Sequence, residues 1–168
     1  MLGIVFLFVG AVLLHLGVCR LVRADGRTSS TVCIMGGAVL FVLYIFMTYR
    51  GFYLSGGVGL LVAVLYIYIG ITELFNLSIK PLGWYALLVA ASMIPMMILD
   101  VVNGDTAMAI LWLMWIVLLT SMWLEEALGK NLKNAVPYMC IFMAPVTGII
   151  PGYVLMIDVW PYFGILGF

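Results

Sequence analysis

Hydrophobic residues in this chain run in long blocks, and the charged residues fall between them. The first block covers about 1–20 and gives way to Arg20, Arg23, Asp25 and Arg27. The second covers about 31–48 and stops near Tyr49-Arg50-Gly51. The third covers about 57–76, with Glu73 in its last turn. The fourth, about 82–100, lies between Lys80-Pro81 and Asp100. The fifth, about 106–124, stops at Glu125-Glu126, and the sixth, about 136–157, ends before Asp158. An aromatic tail fills 158–168. A helix needs about 20 apolar residues to cross a bilayer, whereas barrel strands alternate over about ten. The pattern therefore predicts an all-α integral membrane protein, a bundle of six transmembrane helices forming one membrane domain over 1–168.

Composition sharpens this picture. The chain is 67% hydrophobic and 8% charged, with a mean hydropathy of +1.29. Soluble domains carry about 25% charged residues, so a soluble fold is excluded. The 7 basic residues balance the 7 acidic ones and leave no basic field for nucleic acid. Membrane lipid is the expected surrounding. The opening MLGIVFLFVGAVLLHLGVC has no positive n-region, so it reads as a retained span and not a cleaved signal. Cys19, Cys33 and Cys140 lack the close spacing of a metal or redox motif and read as small buried apolar residues.

The placement of the positive charges predicts orientation. The first, third and fifth connections carry Arg20, Arg23, Arg27, Lys80, Lys130 and Lys133, while the others carry only Arg50. Under the positive-inside rule the odd connections face the cytoplasm. Both termini then lie outside, which requires an even number of spans.

Helical periodicity picks out stripes that share a face. In the fifth span these are Met108, Trp112, Trp115, Leu119 and Trp123. Trp123 suits the interfacial belt, but Trp112 and Trp115 fall near mid-depth, where an indole N–H needs an acceptor. Gly59, Val62, Tyr66 and Glu73 share a face of the third span. A carboxyl within a span is functional or paired by default, yet Glu73 is also close enough to the headgroups to be solvated. The first span carries a bulky stripe, Leu2, Phe6, Val9 and Leu13. Beside it lie Gly3, Gly10 and Gly17, small residues at a spacing that lets helix backbones approach. His15, the single histidine, reads as a hydrogen-bonded packing residue, with a pH sensor as the alternative. Pro95, Pro145 and Pro151 free the carbonyls of Ala91, Ile141 and Thr147. These either mark kinks or offer acceptors to a permeant.

Enzyme chemistry finds little footing, and no cofactor or metal is expected. There is no G-x-S-x-G, H-E-x-x-H or glycine-rich phosphate loop. Asp100, Asp105 and Asp158 fall at span ends, leaving no formal charge at the midplane for an ion-coupled carrier.

Four strings add a resemblance: MLGIVFLFVGAVLL at the start, GLLVAVLYIYIG at 59–70, GWYALLVA after Pro81, and ILWLMWIVLLT at 110–120. In order along the chain, to about residue 160, they resemble the AmiS/UreI family of urea and short-chain amide channels. The resemblance implies a six-helix protomer of a hexamer in the bacterial inner membrane, with one pore per protomer. It implies a pore lined by Leu2, Phe6, Val9, Leu13, Tyr66, Trp112 and Trp115. Val62 stands where the urea-channel pattern has an aromatic, Met108 and Leu119 where it has tryptophans, and Met143 where it has a carboxylate. Phe6 replaces a smaller leucine. The implied pore is thus reshaped and more apolar, which leaves room for amides other than urea. Acid-gated members carry histidine-rich outer loops, but the second connection here, about Tyr49–Gly56, has no histidine. The expected activity is passive permeation of small neutral amides without histidine gating. Alternatives are a proton-coupled transporter using Glu73 as proton or gating carboxylate, and a non-conducting membrane subunit.

Overall fold

The computed structural model describes residues 2–160. Among the described residues, six helices are long and apolar enough to cross a membrane. They are α1 (Leu2–Leu21), α2 (Gly26–Tyr49), α3 (Tyr53–Leu74), α4 (Lys80–Val102), α5 (Thr106–Glu126), and a sixth span built in three pieces. That span comprises α6 (Ala135–Met143), a π-helical segment (Ala144–Ile149) and α7 (Ile150–Met156). Each helix packs on its sequence neighbours, and the sixth span closes the ring against α1.

The helix limits differ from those read in sequence chiefly at α2. It starts at Gly26, several residues before the apolar block. Asp25 explains this start, because its side chain accepts from the Arg27 backbone N–H and caps the helix. The polar run Arg27–Thr31 is thereby drawn into the first turns. Asp105 caps α5 in the same way, accepting from Met108 N–H at 2.9 Å. Most of the aromatic tail, residues 161–168, lies outside the described residues.

The glycine seam of α1 is a close-packing surface. A Cβ at Gly10 would lie 2.9 Å from the Ala144 carbonyl oxygen and 3.0 Å from Gly148 Cα. Only glycine permits that approach of α1 to the sixth span. The π-helical segment begins where Pro145 removes a backbone donor. Its C-cap N–H, from Ile150, reaches back to the Pro145 carbonyl. Thr147 Oγ1 donates to the Met143 carbonyl at 2.8 Å, within the fully buried seam.

Candidate functional site

Two cavities lie along the bundle interior. The larger is about 170 Å³ and is lined from all of α1 to α5, with Leu2, Phe6 and Val9, Tyr44, Val62, Met93, Met108, Trp112 and Trp115 among its walls. An apolar cavity of about 150 Å³ admits benzene, so this one has room for a small planar solute. The smaller is about 10 Å³ and its wall is wholly apolar surface. That is space for about one water. Leu13, Leu16, Tyr66, Ile69, Leu119 and Met122 are among its walls. Val62 and Trp115 line both cavities, so the two meet at these side chains.

Most of the stripes read from sequence therefore converge. Leu2, Phe6, Val9, Met108 and Trp112 face the larger cavity. Leu13, Tyr66 and Leu119 face the smaller. The backbone spacing places them there: α1, α3 and α5 each turn one stripe inward over several turns. Tyr66 also points its hydroxyl at the Val9 carbonyl, at 3.5 Å, which ties α3 to α1 beside the junction.

Met143 lies elsewhere. It is 2% exposed but lines neither cavity. The sixth span is held against the glycine seam of α1, and no residue of it contributes to either cavity wall. Ile141 and Thr147, whose carbonyls the prolines free, thus line neither cavity. Ala91 and Pro95 lie on the exposed face of α4. All three prolines shape helices here and put no acceptor into the cavities.

The indole of Trp112 is also not free for a solute. Its Nε1 donates to Asp100 Oδ2 at 2.7 Å. Trp160 makes a parallel bond, donating from Nε1 to Asp105 Oδ2 at 2.9 Å. Asp100 and Asp105 both line the larger cavity. Sequence reasoning reads these carboxylates only as span ends; the short α4–α5 turn brings them to the wall of the larger cavity. It also missed Tyr44 on α2 and Met93, Met96 and Asp100 on α4. The α4 residues are spaced three and four apart, a signal that was available.

Glu73 is held at the opposite end of the bundle. Arg20 Nε lies 3.6 Å from Glu73 Oε1. Arg20 Nη1 lies 2.9 Å from Glu126 Oε1. His15 Nε2 sits 3.4 Å from the Thr28 carbonyl and 3.3 Å from Cys19 Sγ, between α1 and α2 and outside both cavity walls. All three cysteines are buried free thiols.

Comparison with known proteins gives this arrangement a context. A profile described as an AmiS/UreI family transporter matches residues 1–159. The acid-activated urea channel of Helicobacter pylori is 29% identical, covering 95% of this chain and all 100% of that one. A putative transporter protein, AmiS2, of Rhodococcus erythropolis is 28% identical over 89% of this chain and 63% of its own length. The crystal structure of the Helicobacter pylori urea channel superposes with a TM-score of 0.87, covering 95% of this chain and 99% of that one. A cryoEM structure of that channel in a closed state gives 0.85, with 95% of this chain covered.

Proposed function

The chain belongs to the AmiS/UreI family of transporters, and on that footing we propose that it is a passive channel for small neutral amides, urea among them. The protein works in the bacterial inner membrane as a hexamer, each protomer carrying its own path and both termini outside. The orientation rests on the positive charges of the odd connections. Its relatives are channels and transporters, not enzymes.

One observation carries the reading: two abutting cavities lie along the interior, with Val62 and Trp115 as walls common to both and no formal charge at that boundary. A flat amide gains dispersion contact with such walls. Shedding its hydrogen bonds costs a few kcal/mol, about what partial replacement can offset. An ion loses far more and meets no ring of charges or carbonyls at the junction. In the state described the smaller cavity, about 10 Å³, is too small for an amide. Passage therefore requires the side chains around it to move.

Osmotic shrink–swell of proteoliposomes with urea, acetamide and formamide tests the proposal. Permeability above protein-free vesicles is expected for at least one solute. No excess for any of them overturns the channel reading. The buried, unpartnered Oε2 of Glu73 favours one competing reading, proton-coupled uptake. That reading predicts uphill accumulation abolished by Glu73→Gln, whereas a channel shows no accumulation.

A further inference from the structure

One helical turn beyond the walls of the smaller cavity lies a charged cluster whose position follows from helical geometry. Leu16, Ile69 and Met122 are walls of that cavity, from α1, α3 and α5. Arg20, Glu73 and Glu126 each lie four residues further along the same helices. Four residues return to the same face about 6 Å along the axis. The three charged side chains therefore meet one turn beyond those walls: Arg20 reaches Glu126 at 2.9 Å and Glu73 at 3.6 Å.

One guanidinium faces two carboxylates, and their hydrogen bonding is incomplete. Glu126 is only 6% exposed, yet its Oε2 accepts no hydrogen bond. Glu73 Oε2 is likewise buried without a partner, as is the hydroxyl of Thr72 on the adjacent turn position. Buried acceptors left empty are costly, and a carboxylate oxygen more than most. Arg20 retains further N–H donors after its two contacts, because a guanidinium carries five.

We propose that Arg20, Glu73 and Glu126 form a second recognition site for the permeant, one that reads the primary-amide group. Unpaired carboxylate oxygens accept the amide N–H groups, and the remaining guanidinium N–H groups donate to its carbonyl oxygen. The site replaces hydrogen bonds lost in the apolar cavities at the point where the path leaves them. It rests on the channel reading given above, and selects for N–H donors where the cavity walls select for size and flatness.

Three isomeric amides separate these effects: propionamide, N-methylacetamide and N,N-dimethylformamide have the same formula and successively fewer N–H donors. Their flux into proteoliposomes is measured above protein-free vesicles for the wild type, Glu126→Gln, Glu126→Asp and Glu73→Gln. Wild type is expected to favour propionamide. Glu126→Gln is expected to lower propionamide flux by about tenfold, the weight of a hydrogen bond to a charged group, and to leave N,N-dimethylformamide unchanged. Glu126→Asp, which keeps a carboxylate, should restore part of the preference. Glu73→Gln perturbs a half-open position, with about a fifth of the side chain exposed, so it keeps the test alive if Glu126→Gln fails to fold. Wild type that conducts with no donor preference overturns the site alone. So do variants in which the preference is unchanged, which makes the cluster a structural tie. Variants in which all three fluxes rise together also overturn it, because the cluster is then a plug. Absence of any wild-type flux removes the channel reading and the site with it.

Discussion

The two ends of the bundle interior are built on opposite plans. At the carboxylate end, acidic groups accept from neutral donors: Asp100 holds the Trp112 indole, and Asp105 holds both the Trp160 indole and the Met108 backbone N–H. At the arginine end, acidic groups face a cation and still leave oxygens unfilled. The first end is wide, about 170 Å³, and the second narrow, about 10 Å³. The lesson is that width and polarity are set separately. Indole–carboxylate bonds sit beside the wide cavity, whereas the narrow one is closed by Leu, Ile and Met side chains one turn from a cluster that has unused hydrogen-bonding capacity.

The largest expected effect breaks the connection between the ends. Val62→Trp fills the junction, and urea and acetamide flux should fall by tenfold or more. Overpacking of this kind costs about 1–3 kcal/mol, so the variant is expected to remain folded, checked by thermal unfolding in detergent. Retained flux would show that the path does not pass between Val62 and Trp115.

Leu119→Ala widens only the narrow end. Flux of propionamide should rise several-fold more than flux of urea, measured by stopped-flow light scattering. The variant loses about 2–5 kcal/mol of stability. If both fluxes stay as in the wild type, the resistance lies elsewhere.

Gly59→Ala acts at the wide end. The added Cβ would overlap the Tyr44 ring, which lines the larger cavity and must swing aside. A loss of about two- to threefold is expected, because the cavity starts with room to spare. Finally, changing the pH should alter flux least of all. With no histidine on the walls of either cavity, urea flux between about pH 5 and pH 8, the range in which histidine titrates, should vary by less than twofold. A steep rise on acidification would point to the carboxylate end, where Asp100 and Asp105 line the cavity.

The helices were legible because membrane spans advertise themselves as uninterrupted apolar runs. Tryptophan and glycine stripes on α1, α3 and α5 were legible because those residue types are distinctive. Tyr44 on α2 and Met93 on α4 were not, for a physical reason: a helix in lipid is apolar all round, so hydrophobicity carries no information about which face turns inward. Met143 was assigned through resemblance, and the glycine seam turned its helix to another position. Arg20 was counted as a topological charge and Asp100 as a boundary. Each gained a partner only through a turn or a crossing that sequence spacing does not reveal.

The glycine seam between α1 and the sixth span has one more consequence. Gly10 and Gly148 meet backbone to backbone, with no layer of side chains between them to compress or change rotamer. That wall behaves as a rigid spine. Widening of the narrow cavity is then left to side chains, with Ile69 and Met122 on α3 and α5 and Leu13 and Leu16 on α1 having rotamers to exchange. The α1 backbone is thus stiff where the side chains around the narrow cavity are compliant.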